Sequence, residues 1–247
     1  MSKTWLLPFA IAHRGASKIA PENTLIALKK AKEQGATWVE CDIQLTKDNA
    51  PVIFHDATLA RTTSGRGFLA ATTLSRVQSL DAGSWFSPEF ENERVPTLQE
   101  WLQTAAQLKL GLNLEIKSTT KKESIALAET VIDHLQKYWP AHSTTLFMSS
   151  SNQFALMQIA ERAKSLPLGL IIEKNISEKE AIALLNANII SVHQPYKILN
   201  ASYVTMLHEM GLRVLAYTVN DLTLATQLKA MGVDGMFTDN EKLFDFK

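Results

Sequence analysis

The chain of 247 residues contains a single cysteine, Cys41, and no apolar run long enough to cross a bilayer. One cysteine excludes an intramolecular disulfide and is compatible with a reducing compartment. A membrane-spanning helix needs roughly 18 or more consecutive apolar residues. The early segment WLLPFAIA imitates a short signal peptide, but it runs directly into HRG, so we interpret it as a first core strand. We therefore expect a cytoplasmic protein.

The sequence also lacks an excess of charge of either sign. Lys and Arg total 25, and Asp and Glu total 25, so no overall field attracts nucleic acid or an anionic membrane. We expect a small, locally recognised ligand, no nucleic-acid partner and no stable membrane association. The sequence does not indicate an oligomeric state.

Common nucleophile and nucleotide motifs are missing as well. There is no G-x-S-x-G elbow and no Walker A sequence, and GRGFLA lacks the strand and helix that a dinucleotide fingerprint requires. In the strand-like WVECDIQ, alternation turns Cys41 away from Glu40 and Asp42, so we expect Cys41 to pack rather than react.

What the sequence does contain is a repeated alternation of short apolar runs with polar helix openers and amphipathic segments. The predicted strands are 9–14, 37–44, 112–117, 145–150, 168–173, 189–194, 213–219 and 234–239. Eight strands with intervening helices in this length predict an α/β TIM (β/α)8 barrel spanning 1–247 as one domain. The alternative is a doubly wound open sheet, because periodicity does not show closure.

Helix ends and one insertion are also indicated. Thr97 with Glu100, and Ser177 with Glu180, have the spacing of a capping box. Asn200 and Asn220 are expected to begin helices, and helices are expected to stop at Gly35, Gly111, Gly211 and Gly232. The stretch at about 47–96, with an apparent hairpin after the second strand, is too long for a normal loop and predicts an inserted subdomain over one barrel end.

Three carboxylates are expected to converge at the barrel mouth. Alternation places Glu40 and Asp42 on one face of the second strand, and Glu115 on the inward face of LNLEIK. Oxygen ligands favour a hard divalent cation over zinc. Mg²⁺ is the first expectation, with Ca²⁺ or Mn²⁺ as alternatives. The other interpretation is a pair of structural ion pairs, Glu40 with Arg14 and Glu115 with Lys117.

Histidines supply candidate proton carriers beside these carboxylates. His13 ends the first strand and His55 ends the hairpin, so the two could divide general base and general acid work on a metal-held phosphate. Each could instead be a hydrogen-bonded packing residue. Asp56 is expected to point away from His55 if the strand persists. His193 and Tyr217 either line a substrate pocket or fill the barrel.

Several ordered stretches closely resemble the glycerophosphodiester phosphodiesterases, in particular the short cytosolic bacterial type. They are AHRGASKIAPENT, ECDIQLTKDNAPVIFHDATLARTT, LEIK, DAGSWF, VPTLQE, GLRVLAYTVN and GVDGMFTD. The resemblance implies a TIM barrel that hydrolyses glycerophosphodiesters such as glycerophosphocholine or glycerophosphoethanolamine to glycerol 3-phosphate and an alcohol. It places the metal on Glu40, Asp42 and Glu115.

The resemblance further assigns His13 and His55 as the catalytic histidines and places Arg14 and Lys117 beside the phosphate. Two positions depart from the family pattern: Tyr217 stands where many members have tryptophan, and Ser151 where many have phenylalanine. Both concern the pocket wall. The attacking group, water or the substrate's own 2-hydroxyl, stays open, and so does which histidine is acid and which is base.

Two other functions compete with a soluble phosphodiesterase. The same machinery acting on phospholipids at a membrane should show a basic or apolar interfacial face, and the balanced charge argues against one. A non-catalytic phosphate-binding barrel should have lost a histidine or a carboxylate, and none is missing from the set.

Overall fold

The computed structural model describes residues 7–140 and 145–246, so the first residues of WLLPFAIA lie outside the described part. Within it, the apolar runs of the sequence form nine strands, eight of them parallel. The strands are β1 (Ala10–His13), β2 (Trp38–Leu45), β3 (Pro51–Ile53), β4 (Gly111–Ile116), β5 (Leu146–Ser150), β6 (Leu168–Ile171), β7 (Ile189–Pro195), β8 (Arg213–Tyr217) and β9 (Gly235–Thr238).

The parallel strands close into a barrel. β1 pairs with β9 on one side and with β2 on the other, with His13 opposite Glu40 in the β1–β2 register. β3 is antiparallel to β2 and lies outside the ring as the second arm of the hairpin. The TIM-barrel prediction is therefore confirmed, and the open-sheet alternative is wrong.

The described residues form eight α-helices. They are α1 (Leu25–Glu33), α2 (Leu74–Gln78), α3 (Leu98–Gln107), α4 (Lys121–Tyr138), α5 (Gln153–Arg162), α6 (Glu178–Asn186), α7 (Ala201–Met210) and α8 (Leu222–Ala230). Seven of them cover the outside of the barrel, while α2 packs within the inserted segment. Short 3₁₀ turns occupy Leu69–Ala71, Pro88–Phe90, Tyr196–Ile198 and Glu241–Leu243.

The predicted helix ends are mostly confirmed. Capping boxes at Thr97 and Ser177 open α3 and α6, and the Asn200 side chain caps α7. Gly35, Gly211 and Gly232 follow α1, α7 and α8 with positive φ, a conformation that glycine adopts without steric cost.

Two helix-end predictions are wrong. Asp221, and not Asn220, caps α8. Gly111 does not end α3 but is the first residue of β4; the left-handed residue after α3 is Lys109, with φ 54°. A Cβ on Gly111 would lie 2.3 Å from the Trp38 ring, so this glycine is required by close packing between neighbouring strands.

The barrel interior has an apolar layer beneath a polar one. The apolar layer comprises Ile11, Trp38, Phe147, Leu215 and Phe237. Because side chains alternate along a strand, the residue two positions later faces the same way, one layer nearer the carboxyl end. Those residues are His13, Glu40, Ser149, Tyr217 and Asp239. The sequence thus builds an apolar floor under a polar mouth.

The segment predicted as an inserted subdomain, 47–96, has an apolar cluster of its own. The cluster comprises Val52, Phe54, Leu59, Leu69, Val77, Leu80, Ala82 and Val95. Ile53 donates its backbone N–H to the Pro96 carbonyl, which holds the end of the segment against the hairpin. We call residues 54–97 the β3–α3 connection.

Candidate active site

A cavity of about 380 Å³ opens at the carboxyl ends of the barrel strands. Its wall is formed by His13, Arg14, Glu40, His55, Asn113, Glu115, Lys117, Ser151, Ile171, Glu173, His193, Tyr217, Thr218 and Phe237. Of the nine residues that the sequence singled out for a site, eight line this cavity, and the ninth, Asp42, is buried beside it. His193 and Tyr217 are part of the wall.

The DAGSWF stretch of the insertion was expected to cap the barrel mouth, but none of its residues lines this cavity. Asp81, Ser84 and Trp85 line a separate cavity of about 350 Å³. Asp81 Oδ1 accepts the backbone N–H groups of Gly83 and Ser84 at 3.1 and 2.7 Å, so the loop folds onto its own aspartate. Of the described residues in 47–96, only His55 reaches the barrel-mouth cavity.

Glu40, Asp42 and Glu115 converge as their alternation requires. One carboxylate oxygen from each lies within 4.8 Å of the others, and Asp42 pairs directly with Glu115 in the β2–β4 register. Glu40 and Asp42 are 3% and 1% exposed. Within residues 7–140 and 145–246, the buried Glu40 Oε1 atom has no hydrogen-bond partner. A buried, unpartnered anionic oxygen facing two other carboxylates is a fitting ligand set for a cation.

The pKa shifts of the three carboxyl groups also favour a bound cation. Burial, then the charges of Asp42 and Glu115, raise the pKa of Glu40 well above its usual range. Burial and the Asp42 charge raise the pKa of Glu115 to about 7. Burial acts to raise the pKa of Asp42 too, but Arg14 and Lys117 outweigh it and hold that pKa below its usual range. The cluster has more negative charge than its surroundings neutralise.

Arg14 and Lys117 are the two cations beside the cluster. Arg14 Nε lies 3.4 Å from Asp42 Oδ2, and Lys117 Nζ lies 3.5 Å from both Asp42 Oδ1 and Glu115 Oε1. Among the described residues, the one hydrogen bond that Glu40 accepts comes from the Arg14 backbone N–H at 3.1 Å, and His13 Nε2 lies 3.9 Å from Glu40 Oε2. The Glu115–Lys117 ion pair therefore exists, whereas the ion pairs of the described residues do not include one between the Glu40 and Arg14 side chains. Three carboxylates face two cations, which leaves a net negative charge.

His13 is held by Asp239, a residue directly after the last strand whose contact with His13 the sequence did not predict. Its Nδ1 lies 2.7 Å from Asp239 Oδ1, and Ser17 and Asn220 donate to the same carboxylate at 3.0 and 2.8 Å. Burial raises the pKa of Asp239, but these hydrogen bonds, led by that from His13, lower it to about 2. An ionised Asp239 only accepts, so Nδ1 of His13 carries the proton and Nε2 of the neutral ring is unprotonated.

His55 has a similar partner, which corrects the expectation for Asp56. Its Nδ1 lies 2.7 Å from Asp56 Oδ1. The two side chains meet because β3 ends at Ile53 and the chain turns before Asp56. Gln44 fixes that turn, since its Nε2 lies 2.8 to 2.9 Å from the carbonyl oxygens of residues 54, 55 and 56. Burial lowers the pKa of His55.

His193 and Tyr217 form the opposite wall of the cavity. The His193 ring lies 5.7 Å from the Phe147 ring and 5.1 Å from the Phe237 ring, and its Nε2 is 3.1 Å from Ser191 Oγ. Burial lowers the pKa of His193 to about 3, so this imidazole is neutral near pH 7. Burial also raises the pKa of Tyr217 to about 12. These side chains shape the wall without adding charge.

Among the helices of residues 7–140 and 145–246, none combines the length and apolar content needed to cross a bilayer.

An anionic cluster flanked by two cations and two histidine–aspartate pairs suits a barrel enzyme that acts on a phosphate ester. The sequence profile of the Glycerophosphoryl diester phosphodiesterase family matches residues 13–243. The chain belongs to this family and is a phosphoric diester hydrolase.

Two named relatives and one solved structure are similar to this chain over nearly its whole length. A glycerophosphodiester phosphodiesterase of Caldanaerobacter subterraneus is 35% identical over 230 residues, covering 93% of each chain. One of Bacillus subtilis is 31% identical over 249 residues, covering 95% of this chain and 84% of its own. The solved structure of an Oleispira antarctica phosphodiesterase in complex with the product sn-glycerol-3-phosphate has a TM-score of 0.91 and 36% identity, covering 96% of this chain and 95% of that one.

Proposed function

We propose that the protein hydrolyses small glycerophosphodiesters, such as glycerophosphocholine and glycerophosphoethanolamine, to glycerol 3-phosphate and the free alcohol, with one divalent cation bound. The observation that carries this proposal is the buried Glu40–Asp42–Glu115 cluster facing the same cavity as two histidines whose Nδ1 atoms are each fixed by an aspartate. The bound product of the Oleispira antarctica structure supports the same reaction class.

Glu40, Asp42 and Glu115 would hold the cation, with Mg²⁺ as the first choice and Ca²⁺ or Mn²⁺ as alternatives. When bound, the cation supplies charge neutralisation at a phosphate oxygen. Arg14 and Lys117 add two positive charges on the same side of the cavity, where they bind the phosphate and stabilise the charge that develops in the transition state.

The histidines carry the protons. The bond between phosphorus and the alcohol oxygen breaks, and one imidazole donates a proton to that leaving oxygen. The other imidazole removes the proton of the attacking oxygen as that oxygen forms a new bond to phosphorus. Attack by water gives glycerol 3-phosphate directly, whereas attack by the substrate's 2-hydroxyl gives a cyclic phosphate that water must then open in a second step. Because Asp239 and Asp56 hold the Nδ1 protons of His13 and His55, the Nε2 atoms are the ones available for this transfer.

The cavity supports small substrates. A volume of about 380 Å³ suits a glycerol, a phosphate and a short head group, and most of the residues that line the cavity carry polar or charged side chains. The balanced charge of the chain gives no electrostatic route to an anionic membrane. We expect modest discrimination among choline, ethanolamine and glycerol head groups, because Arg14 and Lys117 anchor the phosphate whatever the alcohol. We also place the reaction in the cytoplasm, which cell fractionation tests.

Release of glycerol 3-phosphate from glycerophosphocholine, measured with and without a chelator, tests the proposal directly. We expect turnover that EDTA abolishes and added Mg²⁺, Ca²⁺ or Mn²⁺ restores. Replacement of Glu40, Asp42 or Glu115 by Ala should weaken metal binding and reduce turnover sharply, whereas Glu209→Ala, an exposed carboxylate on α7, should change neither. Full activity in EDTA would contradict the metal-dependent mechanism.

A further inference from the structure

Arg61 makes four short contacts with two carboxylates at the edge of the candidate site. Its Nη1 and Nη2 lie 2.7 and 2.8 Å from Glu22 Oε2 and Oε1. Its Nε and Nη2 lie 2.6 and 2.9 Å from Asp56 Oδ2 and Oδ1. A guanidinium offers five N–H donors in a planar fork, and here the fork is matched to a carboxylate on each side.

Each of these carboxylates leads to a residue of the proposed machinery. Asp56 Oδ1 also accepts from His55 Nδ1 at 2.7 Å. Glu22 Oε1 also accepts from Arg14 Nη1 at 2.8 Å. Arg61 is therefore linked through Asp56 to His55, a proposed proton carrier. It is linked through Glu22 to Arg14, a proposed phosphate ligand.

The contact through Asp56 has a chemical consequence for His55. An ionised carboxylate cannot donate, so Asp56 fixes the proton on Nδ1 and leaves Nε2 unprotonated in the neutral ring. Arg61 engages both oxygens of Asp56, which sets the plane of the carboxylate and thereby the direction of the imidazole. Asp56 lies on a turn. Among the contacts described for its side chain, only the one with His55 would remain without Arg61.

We propose that Arg61 is a positioning residue of the active site, which orients His55 through Asp56 and Arg14 through Glu22. This proposal rests on the function proposed above. Arg61 could have the purely structural role of holding the β3–α3 connection against the barrel, and the same contacts would then be present. The test must therefore separate orientation of the active site from stability of the fold.

Kinetics of Arg61→Ala provide the first test, with Arg66→Ala as the matched control, since Arg66 is an exposed arginine of the same connection. We expect Arg61→Ala to lower kcat on the order of 10- to 100-fold, the scale of a misplaced catalytic group, while Arg66→Ala stays near wild type. KM should rise less than kcat falls, because His55 acts mainly in the transition state.

Chemical rescue separates positioning from folding. The Arg61 side chain is 45% exposed, so free guanidinium at non-denaturing concentration can enter the gap left by Arg61→Ala. We expect guanidinium to restore part of kcat in Arg61→Ala and to leave wild type and Arg66→Ala unchanged. Arg61→Lys should recover less than guanidinium does, because an ammonium lacks the planar fork.

A second measurement needs no substrate and remains informative if the wild-type enzyme does not hydrolyse glycerophosphocholine. The ¹⁵N shifts of the His55 ring report which nitrogen carries the proton. We expect one tautomer, protonated at Nδ1, in wild type and in Arg66→Ala, and a mixture in Arg61→Ala. Wild-type kcat in Arg61→Ala, an unchanged His55 tautomer, or a loss of kcat that follows the unfolded fraction without rescue would overturn the proposal.

Discussion

At the scale of single residues, the two candidate proton carriers share one arrangement. His13 and His55 each present Nδ1 to an aspartate at 2.7 Å and line the same cavity. His208 provides a natural comparison, since its Nε2 lies 2.7 Å from Asp234 beside the start of β8, at the opposite end of the barrel. A histidine–aspartate contact alone therefore does not define a catalytic group in this protein.

We predict that His13→Ala and His55→Ala each lose about 10² to 10⁴ in kcat while still folding and binding the metal, because a positioned proton-transfer group contributes a factor of that size. His208→Ala should keep kcat, although it removes the contact with Asp234. Steady-state kinetics, with circular dichroism and metal titration as controls, measure these effects. Near-wild-type turnover in either active-site variant would make that histidine structural.

The burial of His193 affects how the stability of the fold depends on pH. Its pKa is about 3 in the folded protein because burial disfavours the charged ring, against about 6.5 in the unfolded chain. The unfolded state therefore binds the proton first as the pH falls. The contribution of neutral His193 to the unfolding free energy is fully present above about pH 6.5. It is lost as the pH falls from about 6.5 to 3, with a slope of up to about 1.4 kcal/mol per pH unit.

We predict that His193→Gln lowers the slope of unfolding free energy against pH in this window, because glutamine does not titrate. The variant should be less stable than wild type near pH 7, since it loses ring packing, and the difference should shrink toward acid pH. Denaturant titrations at several pH values measure both quantities. Parallel pH profiles for the two proteins would show that His193 does not control the acid response.

The carboxylate cluster could be predicted at this scale because a strand has a fixed period of two, which puts Glu40, Asp42 and Glu115 on inward faces. The contacts of Asp239, Glu22 and Arg61 could not be predicted. The His13–Asp239 and Glu22–Arg61 contacts join residues 226 and 39 positions apart, and they depend on loop conformations that periodicity does not describe. The stretches PENT and LARTT contain Glu22 and Arg61 but give no indication that the two meet.

At the scale of elements, helix starts were predictable where one residue had the capping chemistry. Thr97 and Ser177 fit that case. Adjacent Asn220 and Asp221 did not, because either can cap a helix. The choice is made by a distant strand: Asn220 accepts the backbone N–H of Asp239 at 2.8 Å and donates to its carboxylate, which leaves Asp221 to begin α8.

The α3 capping box gives a prediction for an element. Thr97 Oγ1 accepts the Glu100 N–H at 3.2 Å, and Glu100 Oε2 accepts the Thr97 N–H at 2.8 Å. Thr97→Ala removes the first bond and should cost about 1 kcal/mol of unfolding free energy. Thr226→Ala, in the exposed interior of α8, should be neutral or slightly stabilising because alanine is the better helix former.

Urea denaturation at constant m-value measures this difference. A loss in Thr226→Ala as large as that in Thr97→Ala would mean that the cap contributes nothing beyond an ordinary threonine hydroxyl.

At the scale of the whole molecule, barrel closure brings the first strand between the second and the last. His13 on β1 thereby lies between Glu40 on β2 and Asp239 after β9. The alternation of strands and helices predicted the elements, but closure is a long-range property. It follows from the pairing of β1 with β9, which no local pattern contains.

The whole molecule also determines which substrates reach the site. We predict faster hydrolysis of glycerophosphocholine than of lysophosphatidylcholine or sphingomyelin at equal concentration, because the cavity holds about 380 Å³ and the net charge is zero. A side-by-side assay with equal enzyme, using both dispersed and vesicle-bound lipid, measures the preference. Faster turnover of either lipid would favour the membrane lipase.

Cys41 provides a chemical probe for the opening of β2, the strand that carries Glu40 and Asp42. This thiol is fully buried, it is the only one in the chain, and burial followed by the charge of Glu40 raises its pKa well above the usual range. A thiol reagent in excess therefore reacts only when β2 leaves the barrel, so the labelling rate counts those openings. Any ion held by Glu40 and Asp42 should slow labelling by mass action, which reports occupancy without following catalysis.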